Sequence, residues 1–197
     1  MSFILLLKSI AEKEKECIQF NSDEKELLKN AASRIHIEKD AFLIEKGTME
    51  EHVYLVEQGI FQYGLLRGEH ITTFGFIQSG ECINTSKHLY HASPSPYYVR
   101  AYQESYAYVI NIQKLRGLCQ KSEAINSIWT IILNNQRRHT FQDYFIYRLP
   151  VEQRCEKLLE NKKLIQQVLD KDLASYIGIT PQAYSNIKKR ILLPSDK

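Results

Sequence analysis

Apolar positions change period twice along the chain. From Ser2 to about Ala32 they recur at helical spacing, broken at Asn21-Ser22-Asp23-Glu24, where Ser22 or Asp23 can cap a second short helix carrying Leu27 and Leu28. From about Arg34 to Ile112 the period falls to two, with Ile35/Ile37, Phe42/Ile44, Val53/Leu55, Ile60, Phe74/Phe76, Tyr97/Val99 and Tyr106/Val109 in short apolar or alternating runs. Lys46-Gly47, Gln58-Gly59, Arg67-Gly68 and Ser79-Gly80 punctuate these runs. Short, regularly spaced strands with glycine turns predict a β-sandwich or jelly roll. After Asn111 the helical period returns, with a short turn around Lys114 to Gln120 and then a long helix from about Ser122 to Tyr147. The expected fold class is therefore α+β.

On the long helix Ile125, Ile128, Trp129, Ile132, Gln136, His139 and Tyr144 tend to one face, and Ile131, Phe141, Phe145 and Ile146 broaden it. A helix this long and apolar needs partners on more than one side, and a homodimer seam is the expected second partner. Leu149-Pro150 ends it and acts as a hinge. The expected division is a sensor domain over 1–121, a dimerisation and linker helix over 122–149, and a helical domain over 150–197.

That last segment contains Leu173-Ala174-Ser175-Tyr176-Ile177-Gly178-Ile179-Thr180-Pro181, with the spacing of two short helices meeting at a tight turn. Ala174 suits a close helix crossing, and Gly178 the left-handed backbone that ends a helix. Thr180 can cap the second helix, and Pro181 sits in its first turn, where a missing N–H costs nothing. Leu173, Ile177, Ile179, Tyr184 and Ile187 form the apolar stripe. Gln182, Ser185, Asn186, Lys188, Lys189 and Arg190 remain on the side where a recognition helix meets a major groove.

Composition adds bounds. A chain of 197 residues, 44% hydrophobic and 25% charged, is globular with room for two cores. A net charge of +3 is mild, yet cations cluster at Lys188 to Arg190 and at Arg137-Arg138. Met1 to Leu7 lacks the basic flank and cleavage site of a signal peptide, and no stretch approaches membrane-spanning length. Cys17, Cys82, Cys119 and Cys155 are scattered, which points to the cytoplasm rather than to a disulfide framework. Cys82, His88 and His91 lie close in sequence but lack a fourth ligand, so no metal site is expected. Nucleophile elbows, phosphate loops and metalloprotease helices are absent, which argues against an enzyme.

Taken in order, Ile44-Glu45-Lys46-Gly47, then Val53-Tyr54-Leu55-Val56-Glu57-Gln58-Gly59, Gly80-Glu81, Val99-Arg100-Ala101, Tyr108-Val109-Ile110 and the helix-turn-helix resemble the Crp/Fnr superfamily of bacterial transcription regulators. The resemblance implies N-terminal helices and a cyclic nucleotide-binding-like roll, a long dimerisation helix and a C-terminal helix-turn-helix. It implies double-stranded DNA and a second copy of the chain as partners. Only Ile191 to Lys197 follow the last helix, too few for the usual β wing.

The effector pocket implied by the resemblance includes Gly80, Glu81, Asn84, Thr85, Ser95 and Tyr97. Cyclic-nucleotide binders of the superfamily carry a Gly-Glu pair and an Arg-led pair where Asn84-Thr85 and Ser95-Pro96 stand here. A buried phosphodiester without its guanidinium loses a charge-assisted contact, so cAMP is not the expected effector. Arg100, alternating with Val99, should point away from that face. A small-molecule effector of unidentified kind remains open beside a filled pocket, and no cofactor is identified.

Gln182, Ser185 and Asn186 are the candidates for base edges. Lys188, Lys189, Arg190 and the Thr180 cap are the candidates for phosphates. Asn186 stands where relatives in the superfamily usually carry Arg, which implies a changed operator. The competing reading is a ligand-binding or protein-interaction module whose degenerate helix-turn-helix does not bind DNA.

Overall fold

The computed structural model describes residues 1–68, 70–83 and 94–192. Helices α1 (Phe3–Lys13) and α2 (Ser22–Ala31) precede strands β1 (Ala32–Ile37), β2 (Phe42–Ile44), β3 (His52–Gln58), β4 (Ile60–Arg67), β5 (His70–Gln78), β6 (Cys82–Ile83), β7 (Tyr98–Ala101) and β8 (Ser105–Asn111). Helices α3 (Ile112–Lys121), α4 (Glu123–Ile146), α5 (Val151–Glu160), α6 (Lys162–Gln167), α7 (Asp170–Tyr176) and α8 (Pro181–Leu192) follow. The strands form two four-stranded antiparallel sheets, ordered β1-β8-β3-β6 and β2-β7-β4-β5.

The unbroken apolar run Val53-Tyr54-Leu55-Val56 reflects a strand covered on both faces. Tyr54 and Val56 point into the sandwich with Phe61, Val99 and Ala107, whereas Val53 and Leu55 point out, with Tyr108 and Ile110, onto a helical layer. That layer comprises α1, α2, α3 and the first half of α4. The outer face of the second sheet carries the C-terminal helices, with Ile60 in their core and Phe76 and Tyr102 packed against it. The order is thus helices, sheet, sheet, helices.

Local signals explain most boundaries. Gly47, Gly59, Gly68 and Gly80 all have positive φ, as the turn reading requires. At Gly59 a Cβ would also fall 2.1 Å from Ser105 Oγ, so no other residue fits. Helix α2 is capped not by Ser22 or Asp23 but by Asn21, which accepts from Glu24 N while Glu24 Oε2 accepts from Asn21 N, both at 2.8 Å. The expected turn near Lys114 is a full helix, α3, because Asn111 accepts from Gln113 N and Lys114 N and so starts it earlier. Ser122 caps α4 by accepting from Ile125 N at 3.0 Å and donates to Glu24 at 2.6 Å, tying α2 to the long helix.

The long helix corrects the expected dimer seam. Ile125, Ile128, Trp129 and Ile132 are between 0% and 8% exposed within one chain, covered by α1, α3 and the first sheet. The exposed apolar surface of the helix lies further along, where Phe141, Tyr144 and Phe145 are 56%, 55% and 60% exposed. Nor do the helices after Pro150 stand apart: α7 packs on β5, and their core includes Ile60 of the roll.

Candidate nucleic-acid interface and effector cavity

Helices α7 and α8 meet at a Schellman turn. Gly178, at φ +72°, donates to Ser175 O at 3.1 Å and Ile179 donates to Ala174 O at 3.0 Å, satisfying carbonyls that the end of α7 would leave free. Thr180 Oγ1 then accepts from Ala183 N at 3.2 Å, and Pro181 opens α8. Leu173, Ala174, Ile177 and Tyr184 are fully buried between the helices. Arg154 of α5, which sequence reasoning missed, donates to Leu149 O at 2.8 Å and to Ile177 O at 3.1 Å, fixing the turn against the preceding linker.

The structure places the candidate DNA-contacting residues along the outer side of α8. Thr180, Gln182, Asn186, Lys189 and Arg190 are exposed, and Ser185 and Lys188 are half-buried. Gln182 Nε2 donates to Asn186 Oδ1 at 3.2 Å, so the two amides form one polar edge. Two of the cations are engaged: Lys188 bridges to Asp170 at 2.8 Å over the Tyr184 ring, and Arg190 pairs with Glu152.

The helix-turn-helix is held against the roll by a polar seam. Tyr102 OH donates to Asp172 at 2.7 Å and accepts from Leu169 N at 3.0 Å, Thr73 N donates to Ser175 Oγ at 3.1 Å, and Tyr147 OH donates to Tyr176 O. Phe76 meets the rings of Tyr102 and Tyr176 edge-on. At the centre, Asp143 of α4 accepts from Tyr176 OH at 2.5 Å and from Tyr63 OH at 3.1 Å. One carboxylate thus joins roll, long helix and helix-turn-helix.

A cavity of about 470 Å³ lies beside this junction, walled by side chains from β5, α4, α5, α6 and α7. A smaller one of about 130 Å³ lies between the mouth of the roll and α4. Phe76, Glu81, His139 and Asp143 line both. Glu81 accepts from Gln78 N at 2.8 Å and faces His139 at 3.4 Å. Burial pushes the carboxyls of Glu81 and Asp143 above their usual range, against the pull of His139 and of the hydrogen bonds each accepts.

Of the residues expected to form the effector pocket, Glu81 and Tyr97 line the smaller cavity. Gly80 instead shapes the turn, donating to Val56 O at 2.8 Å, and Ser95 is buried in its own loop, donating to Tyr97 O at 2.7 Å. Asn84 and Thr85 lie outside the described residues, as do His88 and His91 of the discarded metal reading. Arg100 points away from Val99, as alternation requires, donating to Gln62 at 2.8 Å. His139 was read only as part of the face of the long helix and Asp143 was passed over, yet a signal existed. Ile125, Ile128, Ile132, Gln136, His139 and Asp143 continue one stripe at spacings of three and four, so its apolar half turns polar where it reaches the cavities.

Residues 34–122 match the cyclic nucleotide-binding domain family. No curated protein matches the chain by sequence. The fold is shared with FixK2 from Bradyrhizobium japonicum, at TM-score 0.67 and 16% identity over 82% of this chain and 84% of that one. It is also shared with CLP from Xanthomonas campestris, a c-di-GMP responsive global regulator, at 0.65 and 14% over 87% and 92%. A protein from Eubacterium rectale assigned to the crp/fnr family of transcriptional regulators matches at 0.64 and 12% over 88% and 84%.

Proposed function

We propose that this chain, with its cyclic nucleotide-binding domain and Crp/Fnr-like fold, is a DNA-binding transcription regulator whose roll senses a signal other than cAMP. The observation that carries the reading is the α7–α8 pair: a Schellman turn and a capped second helix hold Gln182, Asn186 and Lys189 on an exposed face. Asn and Gln amides suit the paired donor and acceptor of adenine, whereas the cations suit phosphates.

The ion pairs of Lys188 and Arg190 favour the competing interaction-module reading, because both cations already face carboxylates. Their weight is small. Arg190 and Glu152 are each 64% exposed, and such pairs contribute at most about 1 kcal/mol, so a DNA phosphate exchanges for the carboxylate at little cost.

Among the described residues, the carboxyl and imidazole groups lining the smaller cavity are Glu81, His139 and Asp143. Among the described lining residues a cyclic phosphate there meets two carboxylates and neither guanidinium nor ammonium, which supports a different effector. The proposed assembly is a homodimer joined along the exposed side of α4 through Phe141, Tyr144 and Phe145. Four unpaired cysteines and a DNA partner suit the cytoplasm, and among the described residues no helix is long and apolar enough to cross a membrane. No catalytic step is assigned to the chain.

The test is a binding selection on randomised duplexes with wild type and Asn186→Ala. A defined motif whose preference relaxes at one base pair in the variant supports the reading. The same preference in both proteins shows that α8 is not the reading helix.

A further inference from the structure

The larger cavity has the size of a small-molecule site and lies where an occupant touches all three parts of the chain. Its walls are largely apolar and aromatic, with Phe76, Phe145, Ile146 and Leu164 among them. Lys157 and Glu160 at its α5 side pair with each other at 3.2 Å and offset one another. Among the described lining residues the other carboxyl and imidazole groups are Glu81, Asp143 and His139. The apolar volume gives room for an organic body, and the two carboxylates set the charge that body faces.

We propose that the interdomain cavity binds a small organic cation, a primary ammonium on an aromatic or apolar body, with the ammonium at Asp143 and Glu81 and the body against Phe76 and Phe145. An ammonium carries three donors and fits between two carboxylate groups, of which Glu81 faces the His139 imidazole and feels Lys13 more weakly, while Asp143 accepts from two tyrosine hydroxyls. The aromatic rings add cation–π attraction and apolar contact. An anion in the same place sets like charges together in a desolvated space. The raised pKa values of both carboxyls agree with this, since bringing a cation beside them relieves the cost of ionising in a buried site.

The placement also supplies a consequence for DNA binding, which rests on the regulator reading above. Asp143 Oδ1 is the atom that holds Tyr176 of α7. A ligand ammonium on that oxygen competes with the tyrosine hydroxyl, so occupancy loosens the docking of the helix-turn-helix on the roll.

The test titrates the full chain calorimetrically with 2-phenylethylamine and tryptamine, using 2-phenylethanol and 3-phenylpropionate as neutral and anionic counterparts. The amines are expected to bind saturably and at least about ten-fold more tightly than the alcohol, with the carboxylate weakest. Asp143→Asn and Glu81→Gln should each shrink that advantage. Absence of saturable amine binding up to about 10 mM overturns the proposal, as does tighter binding of the carboxylate, or an amine preference that survives in both variants. The wild-type comparison stands even if a variant fails to fold. Retention on duplex DNA, measured without amine, reports on the regulator reading separately: amine binding without DNA binding leaves the site standing and removes its consequence.

Discussion

The hydroxyl of Tyr176, in the first helix of the helix-turn-helix, donates to Asp143 of the long helix at 2.5 Å, and the other oxygen of that carboxylate accepts from Tyr63 of the roll. Tyr176→Phe removes one contact to a half-buried charge and leaves the packing of the ring on Phe76 in place. Its expected cost is about 1.5–3 kcal/mol, felt at the docking of α7. Hydrogen exchange should show faster opening of residues 170–177 with the roll unchanged. Equal protection in both proteins contradicts the latch.

Asp143 and Glu81 also set a pH dependence. Their pKa values are raised in the fold, chiefly by burial. A carboxyl raised in this way contributes fully below its unfolded value, near 3.8 for Asp143 and 4.5 for Glu81, and the contribution is lost as pH rises through the folded value. Urea unfolding across a pH series should therefore show Asp143→Asn gaining on wild type as pH rises through that window. A difference that stays constant with pH counts against it.

The proposed dimer seam on α4 separates two kinds of substitution. Ile128→Glu places a carboxylate in the core shared with α1 and α3, so unfolding of the sensor half is expected, at a cost above about 4 kcal/mol. Phe141→Glu and Phe145→Glu change exposed positions, so the melting curve of the monomer should stay near wild type while light scattering shows loss of the dimer. A wild type that is monomeric at high concentration, or a double variant that remains dimeric, puts the interface elsewhere.

Calorimetric titration with cAMP and cGMP at millimolar concentration should show weak binding or none. A dissociation constant in the low micromolar range contradicts the acidic lining that Glu81 and Asp143 give the smaller cavity.

The turns and the helix-turn-helix were legible because their signals are local. Glycine with positive φ, a threonine cap and a proline in the first turn each act within a few residues. The strand Val53 to Val56 was legible as a strand, but its burial on both faces depends on α1 and α3, which no local period specifies. For the same reason Ile125 to Ile132 read as a dimer seam. Asp143 continues the stripe of α4, but its role at the junction was hidden for a different reason. Its partners Tyr63 and Tyr176 lie 80 and 33 positions away, and a lone carboxylate on a helix ordinarily reads as solvated. The ion pairs of Lys188 with Asp170 and of Arg190 with Glu152 join neighbouring helices whose relative rotation the sequence leaves open.

On the proposed reading the exposed residues of α8 divide into specificity and affinity. Asn186→Ala should cost about 1 to 3 kcal/mol on the cognate duplex, partly by freeing Gln182 from its amide partner. Lys189→Ala should weaken all duplexes alike and lower the salt slope by about one unit. Competition between cognate and random duplexes distinguishes the two, and a loss of discrimination with Lys189→Ala contradicts the division.

Whether the chain binds DNA at all is decided most directly by the salt dependence of wild-type retention on random duplex DNA. Several phosphate contacts along α8 predict tight retention at low salt and a steep linear fall of log affinity with log salt, about 0.9 per phosphate neutralised. Absence of duplex binding at low salt, or binding indifferent to salt, contradicts the regulator reading and leaves the helix-turn-helix as a protein-interaction surface.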